Sequence, residues 1–143
     1  MRRSACIVLI VLAGAFAADS PLVQPKELAA QLADHRAAMV VFQVGPSVLY
    51  RSRHIPGAIY AGPAGKPDGL ELLKAEAGKL RRDREVVLYC GCCPWDHCPN
   101  IRPALELMRQ MGFAHVHALY VPASFKTDWI DAGYPVETGD ALR

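Results

Sequence analysis

The segment REVVLYCGCCPWDHCPN, residues 84–100, joins an apolar, β-branched run to a loop that carries four cysteines within nine residues. The run predicts a strand that ends at Cys90. Cysteines that cross-link a small domain are usually spread along the chain, so that each bridge closes a long loop. The crowding of Cys90, Cys92, Cys93 and Cys98 therefore indicates that the loop itself has a function.

Strand- and helix-forming segments alternate on both sides of this loop. Residues 38–45 form a continuous apolar run that a Gly-Pro pair ends, which is typical of a strand buried in a parallel sheet. Further strands are predicted at residues 58–60 and 115–120, and helices at residues 25–35, 68–80, 104–111 and 124–133, the second with Asp68 and Glu71 as a capping box. This order predicts an α/β domain, a largely parallel central sheet flanked by helices.

The first eighteen residues have the pattern of a secretory signal peptide. Arg2 and Arg3 precede an apolar run, residues 5–16, that ends in small residues at Ala15 and Ala17. The run is shorter than the roughly 20 residues that a membrane-spanning helix needs. We therefore expect residues 1–18 to be cleaved, the protein to be periplasmic or secreted, and no stable membrane insertion after cleavage.

The charge balance changes when this leader is set aside. The chain has 16 basic and 14 acidic residues, and loss of Arg2 and Arg3 makes the two numbers equal at 14. A neutral balance gives no reason to expect a nucleic-acid partner. The four cysteines that remain after loss of Cys6 all lie in the loop, and in an oxidising compartment we expect a disulfide among them.

Three further segments resemble those of one known family. SRHIPGAIY, residues 52–60, is similar to the HIPGA signature of rhodanese-type sulfurtransferase domains, and residues 111–120 and 128–137 resemble the family's later segments. The resemblance covers residues 23–139 and implies a rhodanese-like α/β fold. It also implies an enzyme without a cofactor, in which a cysteine persulfide carries sulfane sulfur from a thiosulfate-like anion to a thiol or cyanide acceptor.

Two positions depart from the family pattern. Residues 43–45 read Gln-Val-Gly where the family commonly has Asp-Val-Arg, so an ion-pair role cannot be transferred to them. The loop from Cys90 to Asn100 is longer than the usual active-site loop and carries three extra cysteines. The identity of the reactive cysteine therefore stays open.

Two cysteines are the catalytic candidates. The resemblance places the nucleophile at Cys90, at the end of the strand. Cys98 lies nearest the start of the following helix, where it is either a competing nucleophile or a resolving thiol that closes a disulfide with Cys90. Sulfur transfer requires a thiolate, because a protonated thiol is a poor nucleophile.

The other candidates surround these two cysteines in sequence. Arg102 and His97 are predicted to bind the anionic donor, and Cys92 and Cys93 are accessory thiols that relay sulfur or form a vicinal disulfide. His54, in the HIPGA segment, and Trp129 are predicted to have structural roles.

Two other functions remain open for the loop. The cysteines are also compatible with a thiol–disulfide redox protein, although the plain C-x-x-C motif is missing. Together with His97 they are compatible with a module that binds copper(I) or zinc. We assign no metal, because zinc sites usually combine two separated ligand pairs rather than one short loop. A phosphatase Cys-x5-Arg cradle is excluded, since that count from Cys90 reaches Asp96.

Overall fold

The computed structural model describes residues 22–34 and 38–139. The signal peptide predicted at residues 1–18 lies outside the described residues. Among those residues, no helix combines the length and the apolar character that crossing a membrane would require.

Five parallel strands form one sheet in the order β1-β5-β4-β2-β3. The strands are β1 (Leu22–Val23), β2 (Val40–Gln43), β3 (Ile59–Tyr60), β4 (Glu85–Tyr89) and β5 (His115–Leu119). β4 is central, and its last four residues are all buried because helices cover both faces of the sheet. The predicted α/β fold with a parallel sheet is confirmed.

Helices pack on both faces of this sheet. They are α1 (Pro25–Ala33), α2 (Ser47–Ser52), α3 (Pro67–Gly78) and α4 (Ile101–Gln110), with a 3₁₀ turn at Trp95–His97 and a closing π-helical turn at Lys126–Ile130. α3 and α4 share one core with Val86 and Leu88 of β4. α1 and the closing turn share the other core with Val87 and Tyr89, as expected from the alternation of side chains along a strand.

The helix boundaries confirm some sequence predictions and correct others. Gly112, with a φ of 83°, follows Met111, the C-cap residue of α4, and ends that helix as predicted. The predicted capping box of Asp68 and Glu71 was wrong. The N-cap of α3 is Lys66, Pro67 is its first residue, and no side chain makes a cap hydrogen bond. Asp68 therefore lies inside the first turn, where its negative charge interacts favourably with the helix dipole.

His54 and Trp129 both have structural surroundings. The buried His54 ring stacks on Tyr50 at 3.9 Å, and its Nδ1 lies 2.8 Å from the Tyr50 carbonyl oxygen. Trp129 is fully buried, and its indole N–H donates to the carbonyl of Pro135 at 2.9 Å. These contacts confirm the structural roles predicted for both residues.

Candidate active site

The cysteine loop begins where β4 ends and finishes at the start of α4. Gly91, with a φ of 82°, turns the chain directly after Cys90, a conformation that glycine adopts without strain. The loop then folds back on itself, so that the sulfur atoms of Cys90, Cys92, Cys93 and Cys98 all lie within 4.8 Å of one another. The Cys92 Sγ is 2.9 Å from both the Cys90 Sγ and the Cys93 Sγ. We call these four side chains the thiol cluster.

The expected disulfide is absent from the described residues. All four cysteines of the thiol cluster are free thiols. The two shortest sulfur–sulfur distances, both 2.9 Å, are well above the roughly 2.05 Å of a covalent S–S bond. The cluster therefore presents free thiols rather than a cross-link.

Cys90 is held at the base of the cluster. Its side chain is only 1% exposed. The buried Gln43, at the end of β2, donates from its side-chain amide to the Cys90 carbonyl oxygen at 3.0 Å, and its own amide oxygen accepts the Gly45 N–H. Gln43 thus fixes the backbone of Cys90, a role that sequence comparison with the family's Asp-Val-Arg pattern did not suggest.

Gly45 allows the two strand ends to approach closely. A Cβ atom at this position would lie 2.4 Å from the Cys90 carbonyl oxygen and 3.1 Å from the Cys90 Sγ. A side chain there would displace the first thiol of the cluster, so only glycine fits beside Cys90.

Asn100 is a second buried polar residue that the sequence analysis missed. Its side-chain NH₂ group donates to the Cys90 Sγ at 3.1 Å and lies 3.6 Å from the Cys92 Sγ. Its amide oxygen accepts the backbone N–H of Gly65 at 2.7 Å. Although Asn100 is the N-cap residue of α4, its side chain makes no cap hydrogen bond, because both ends of the amide are engaged elsewhere.

Cys98 has the surroundings that favour a thiolate. A hydrogen bond from the Cys90 thiol, and further ones from the backbone N–H groups of Asn100 and Ile101, lower the pKa of Cys98, although partial burial opposes them. These backbone groups belong to the start of α4, where unpaired N–H donors and the helix dipole stabilise an anion. Cys98 is therefore the thiol of the cluster best placed to ionise.

The neighbouring thiols of Cys98 have the opposite tendency. The hydrogen bond to Cys98, together with burial, raises the pKa of the Cys90 thiol well above its ordinary value. Burial, and next the contact with Cys92, raise the pKa of Cys93 to about 12. The directions of these shifts favour an anion at Cys98 over one at Cys90 or Cys93.

A cavity of about 570 Å³ opens beside the thiol cluster and contains Cys98. His97 and Arg102, both predicted to bind substrate, line the same cavity, as do Asp96 and Trp95. The structure therefore brings together Cys98 and the two predicted substrate-binding residues. Cys90 does not line this cavity, and it contacts Cys98 from the buried side.

Comparison with known proteins identifies the family of this domain. Residues 24–120 match the sequence model of the Rhodanese-like domain, which is more than half of the chain. The chain therefore belongs to the rhodanese-like domain family. No curated protein matches it significantly.

Solved structures of rhodanese-like domains share the fold. The Alr3790 protein from Anabaena sp. has 23% identity and a TM-score of 0.64, with 84% of each chain covered. The BH2092 protein from Bacillus halodurans has 22% identity and a TM-score of 0.65, with 83% of this chain and 77% of that chain covered. The thiosulfate sulfurtransferase from Pseudomonas aeruginosa has 22% identity and a TM-score of 0.61, and the match covers 85% of this chain but 21% of that one.

Proposed function

We propose that this protein is a sulfurtransferase that moves sulfane sulfur through a persulfide on Cys98. One observation carries the proposal. The cavity beside the thiol cluster presents Cys98, at the start of α4, together with Arg102 and His97. Rhodanese-like domains generally act with sulfur donors and thiol acceptors, and one structural relative is named a thiosulfate sulfurtransferase.

The first half-reaction loads sulfur onto Cys98. Its thiolate attacks the outer sulfur of thiosulfate, the new S–S bond forms as the old one breaks, and sulfite leaves with the bonding electron pair. The product is an anionic Cys98 persulfide. The backbone N–H groups of Asn100 and Ile101, which lower the pKa of Cys98, stabilise the negative charge in this step.

The second half-reaction unloads the sulfur. A thiolate or cyanide acceptor enters the cavity and attacks the terminal sulfur of the persulfide, and the bonding electrons return to the Cys98 Sγ as a thiolate. Because no net electrons enter or leave, the cycle needs no redox cofactor. The exposed Arg102 at the cavity wall attracts both anionic substrates, and His97 provides a ring N–H or nitrogen at the same wall.

Cys90 takes a supporting part in this scheme. The Cys90 thiol lowers the pKa of Cys98, while the Asn100 side chain donates to the Cys90 sulfur at 3.1 Å. In this proposal Asn100 positions Cys90, and Cys90 favours negative charge on the cysteine that faces the cavity. In this proposal the two catalytic cysteines exchange roles relative to the sequence expectation, which placed the transferred sulfur on Cys90. That expectation stays a prediction, and the variants described below distinguish the two assignments.

Thiocyanate formation from thiosulfate and cyanide tests the proposed activity. We expect turnover by the reduced protein, and a rate roughly 2- to 10-fold lower for Asn100→Ala, since its side chain donates to the neutral Cys90 thiol and such a hydrogen bond contributes about 0.5–1.5 kcal/mol. Asn100→Gln offers the same NH₂ group on a longer side chain and should restore part of the rate. Absence of thiocyanate from the folded, reduced protein would refute the activity.

We also propose that the protein is exported, with the sulfur chemistry outside the cytoplasm. The tripartite pattern of residues 1–18 supports this location. Protein recovered from a secretory host should have Ala18 or Asp19 as its N-terminal residue. A soluble cytoplasmic pool that retains Met1 would argue against export.

A further inference from the structure

We propose that the thiol cluster also binds one soft metal cation, zinc or copper(I), through the four sulfur atoms of Cys90, Cys92, Cys93 and Cys98. The site is distinct in chemistry from the sulfur-transfer reaction, although the two share Cys98. Thiolate ligands select zinc and copper(I) over harder cations such as magnesium or calcium. The proposal does not depend on the sulfurtransferase activity.

The positions of the sulfur atoms fit a four-coordinate ion. A tetrahedral metal with metal–sulfur bonds of about 2.3 Å separates its sulfur ligands by roughly 3.8 Å. In the structure all four sulfur atoms lie within 4.8 Å of one another, and the shortest pairs, Cys90–Cys92 and Cys92–Cys93, are at 2.9 Å. Both short pairs include Cys92, whose side chain is exposed, so rotation of this one side chain moves the cluster toward the tetrahedral spacing.

The Asn100 side chain supplies a hydrogen-bond donor of the kind that stabilises metal-bound thiolates. Zinc binding requires all four sulfurs as thiolates, so the remaining thiol protons are released and the complex has a net charge of −2, which must be stabilised in a partly buried loop. Asn100 donates its side-chain NH₂ to the Cys90 sulfur and lies 3.6 Å from the Cys92 sulfur, and Cys98 lies two residues before the N-cap of α4. Such donors to the ligands typically decide metal affinity.

The buried amide of Asn100 is the clearest sign that the cluster is built rather than accidental. Asn100 is only 4% exposed, and its oxygen is fixed by the Gly65 N–H. The NH₂ group has no rotational choice left and must point at sulfur. Gln43 fixes the Cys90 backbone in the same way, so the ligand at the base of the cluster is preorganised.

From the sequence alone no metal was assigned, because one short loop supplies all four ligands whereas zinc sites usually combine two separated pairs. The fold answers this objection, because the turn at Gly91 and the 3₁₀ turn at Trp95–His97 return the chain to its starting point. The sequence also suggested His97 as a ligand. Within residues 22–34 and 38–139, the side chains grouped for a metal are the four cysteines, without His97. The donor set is therefore four sulfurs.

A shared ligand makes metal binding and sulfur transfer mutually exclusive. When a cation holds the Cys98 thiolate, that thiolate is not available to attack thiosulfate. The metal would thus keep the protein inactive until a competing chelator or thiol removes it.

Metal titration of the reduced, metal-free mature protein tests the proposal. We expect one equivalent of Co(II), used as a probe for the zinc site, to give the intense charge-transfer and visible bands of a tetrahedral tetrathiolate, and Zn(II) to displace them. A parallel arm titrates Cu(I) against a chromophoric Cu(I) chelator. Bound metal should protect all four thiols from alkylation.

Variants define the ligand set. Cys92→Ser and Cys93→Ser change thiols that do not line the cavity, and each should lower metal affinity by at least tenfold. Asn100→Ala should lower metal affinity by roughly 10- to 100-fold. His97→Ala is the matched control in the same loop and should bind metal like the parent protein. Thermal melting of each metal-free variant confirms that it is folded.

The outcomes separate this inference from the proposed function. A Co(II) tetrathiolate spectrum displaced by Zn(II) assigns zinc, and tight stoichiometric Cu(I) binding without that spectrum assigns copper. The inference is overturned if the folded, reduced protein binds neither metal. It is also overturned if metal binding survives both Cys92→Ser and Cys93→Ser. Thiosulfate uptake, measured on the same metal-free protein, reports the sulfurtransferase activity independently of either result.

Discussion

Replacing Cys98 by serine should abolish sulfur transfer from thiosulfate, a fall of roughly 10³-fold or more, because loss of a nucleophile removes the covalent step altogether. A serine hydroxyl at this site is not ionised and cannot hold a sulfane sulfur. The side chain is only partly buried, so the variant should melt close to the parent protein. The rate of thiocyanate production and the melting curve measure the two effects.

Cys90 provides the matched control for this prediction. Cys90→Ser keeps a hydrogen-bond donor beside the Cys98 sulfur, so the variant should still load one sulfur from thiosulfate, whereas Cys90→Ala should load it more slowly. Both variants change the same buried position at the base of the loop. If Cys90→Ser cannot take up sulfur and Cys98→Ser can, Cys90 is the nucleophile and the proposed roles are reversed.

A large loss of stability is expected for Gly69→Ala, in the first turn of α3. A Cβ atom at Gly69 would lie 2.0 Å from the carbonyl oxygen of Pro63 and 2.4 Å from its carbonyl carbon. The obstacle is backbone, so either α3 or the loop must move. We expect a loss of about 3 kcal/mol in the free energy of unfolding, or about 10 °C in melting temperature.

The same variant should also weaken the active site. The loop that contacts Gly69 continues to Gly65, whose N–H binds the Asn100 side chain, and Asn100 in turn contacts the Cys90 sulfur. Displacement of Pro63 therefore reaches the thiol cluster through two hydrogen bonds. Sulfur transfer by Gly69→Ala should fall at temperatures where the protein is still folded.

Gly78→Ala is the control for Gly69→Ala, because it makes the same change in the same helix. Among the described residues, a Cβ atom at Gly78 would have no heavy atom within 4 Å outside the backbone of its own helix and its chain neighbours. Alanine should therefore stabilise α3 by up to about 1 kcal/mol through lower entropy of the unfolded chain. Chemical denaturation of the two variants measures the difference, and equal stability of both would contradict the close packing at Gly69.

Much of the fold could be predicted from the sequence because its elements have clear patterns. Continuous apolar runs marked β2 and β4 as buried strands, and Met108 and Ala104 face the core on α4 as their spacing predicted. The strand and the α-helix that were missed are both short. The two-residue strand β1 has no period to detect, and α2 has six residues, less than two helical turns.

The candidate site was only partly predictable, for a different reason. The cluster of thiols, His97 and Arg102 could be found because their residue types stand close together in sequence. Asn100 looked like an ordinary residue before a helix, and only the fold places its NH₂ group against sulfur. The depth of each cysteine below the surface is likewise not encoded in spacing, so the sequence could not separate the buried Cys90 from Cys98 in the cavity.

The position of the transferred sulfur tests the central claim most directly. The reduced, metal-free protein is treated with thiosulfate, its thiols are alkylated, and cleavage before Asp96 separates Cys98 from the other three cysteines of the loop. Mass spectrometry should then find the mass of one added sulfur on the peptide that contains Cys98. An added sulfur on the peptide that contains Cys90, or no added sulfur on either peptide, would contradict the account.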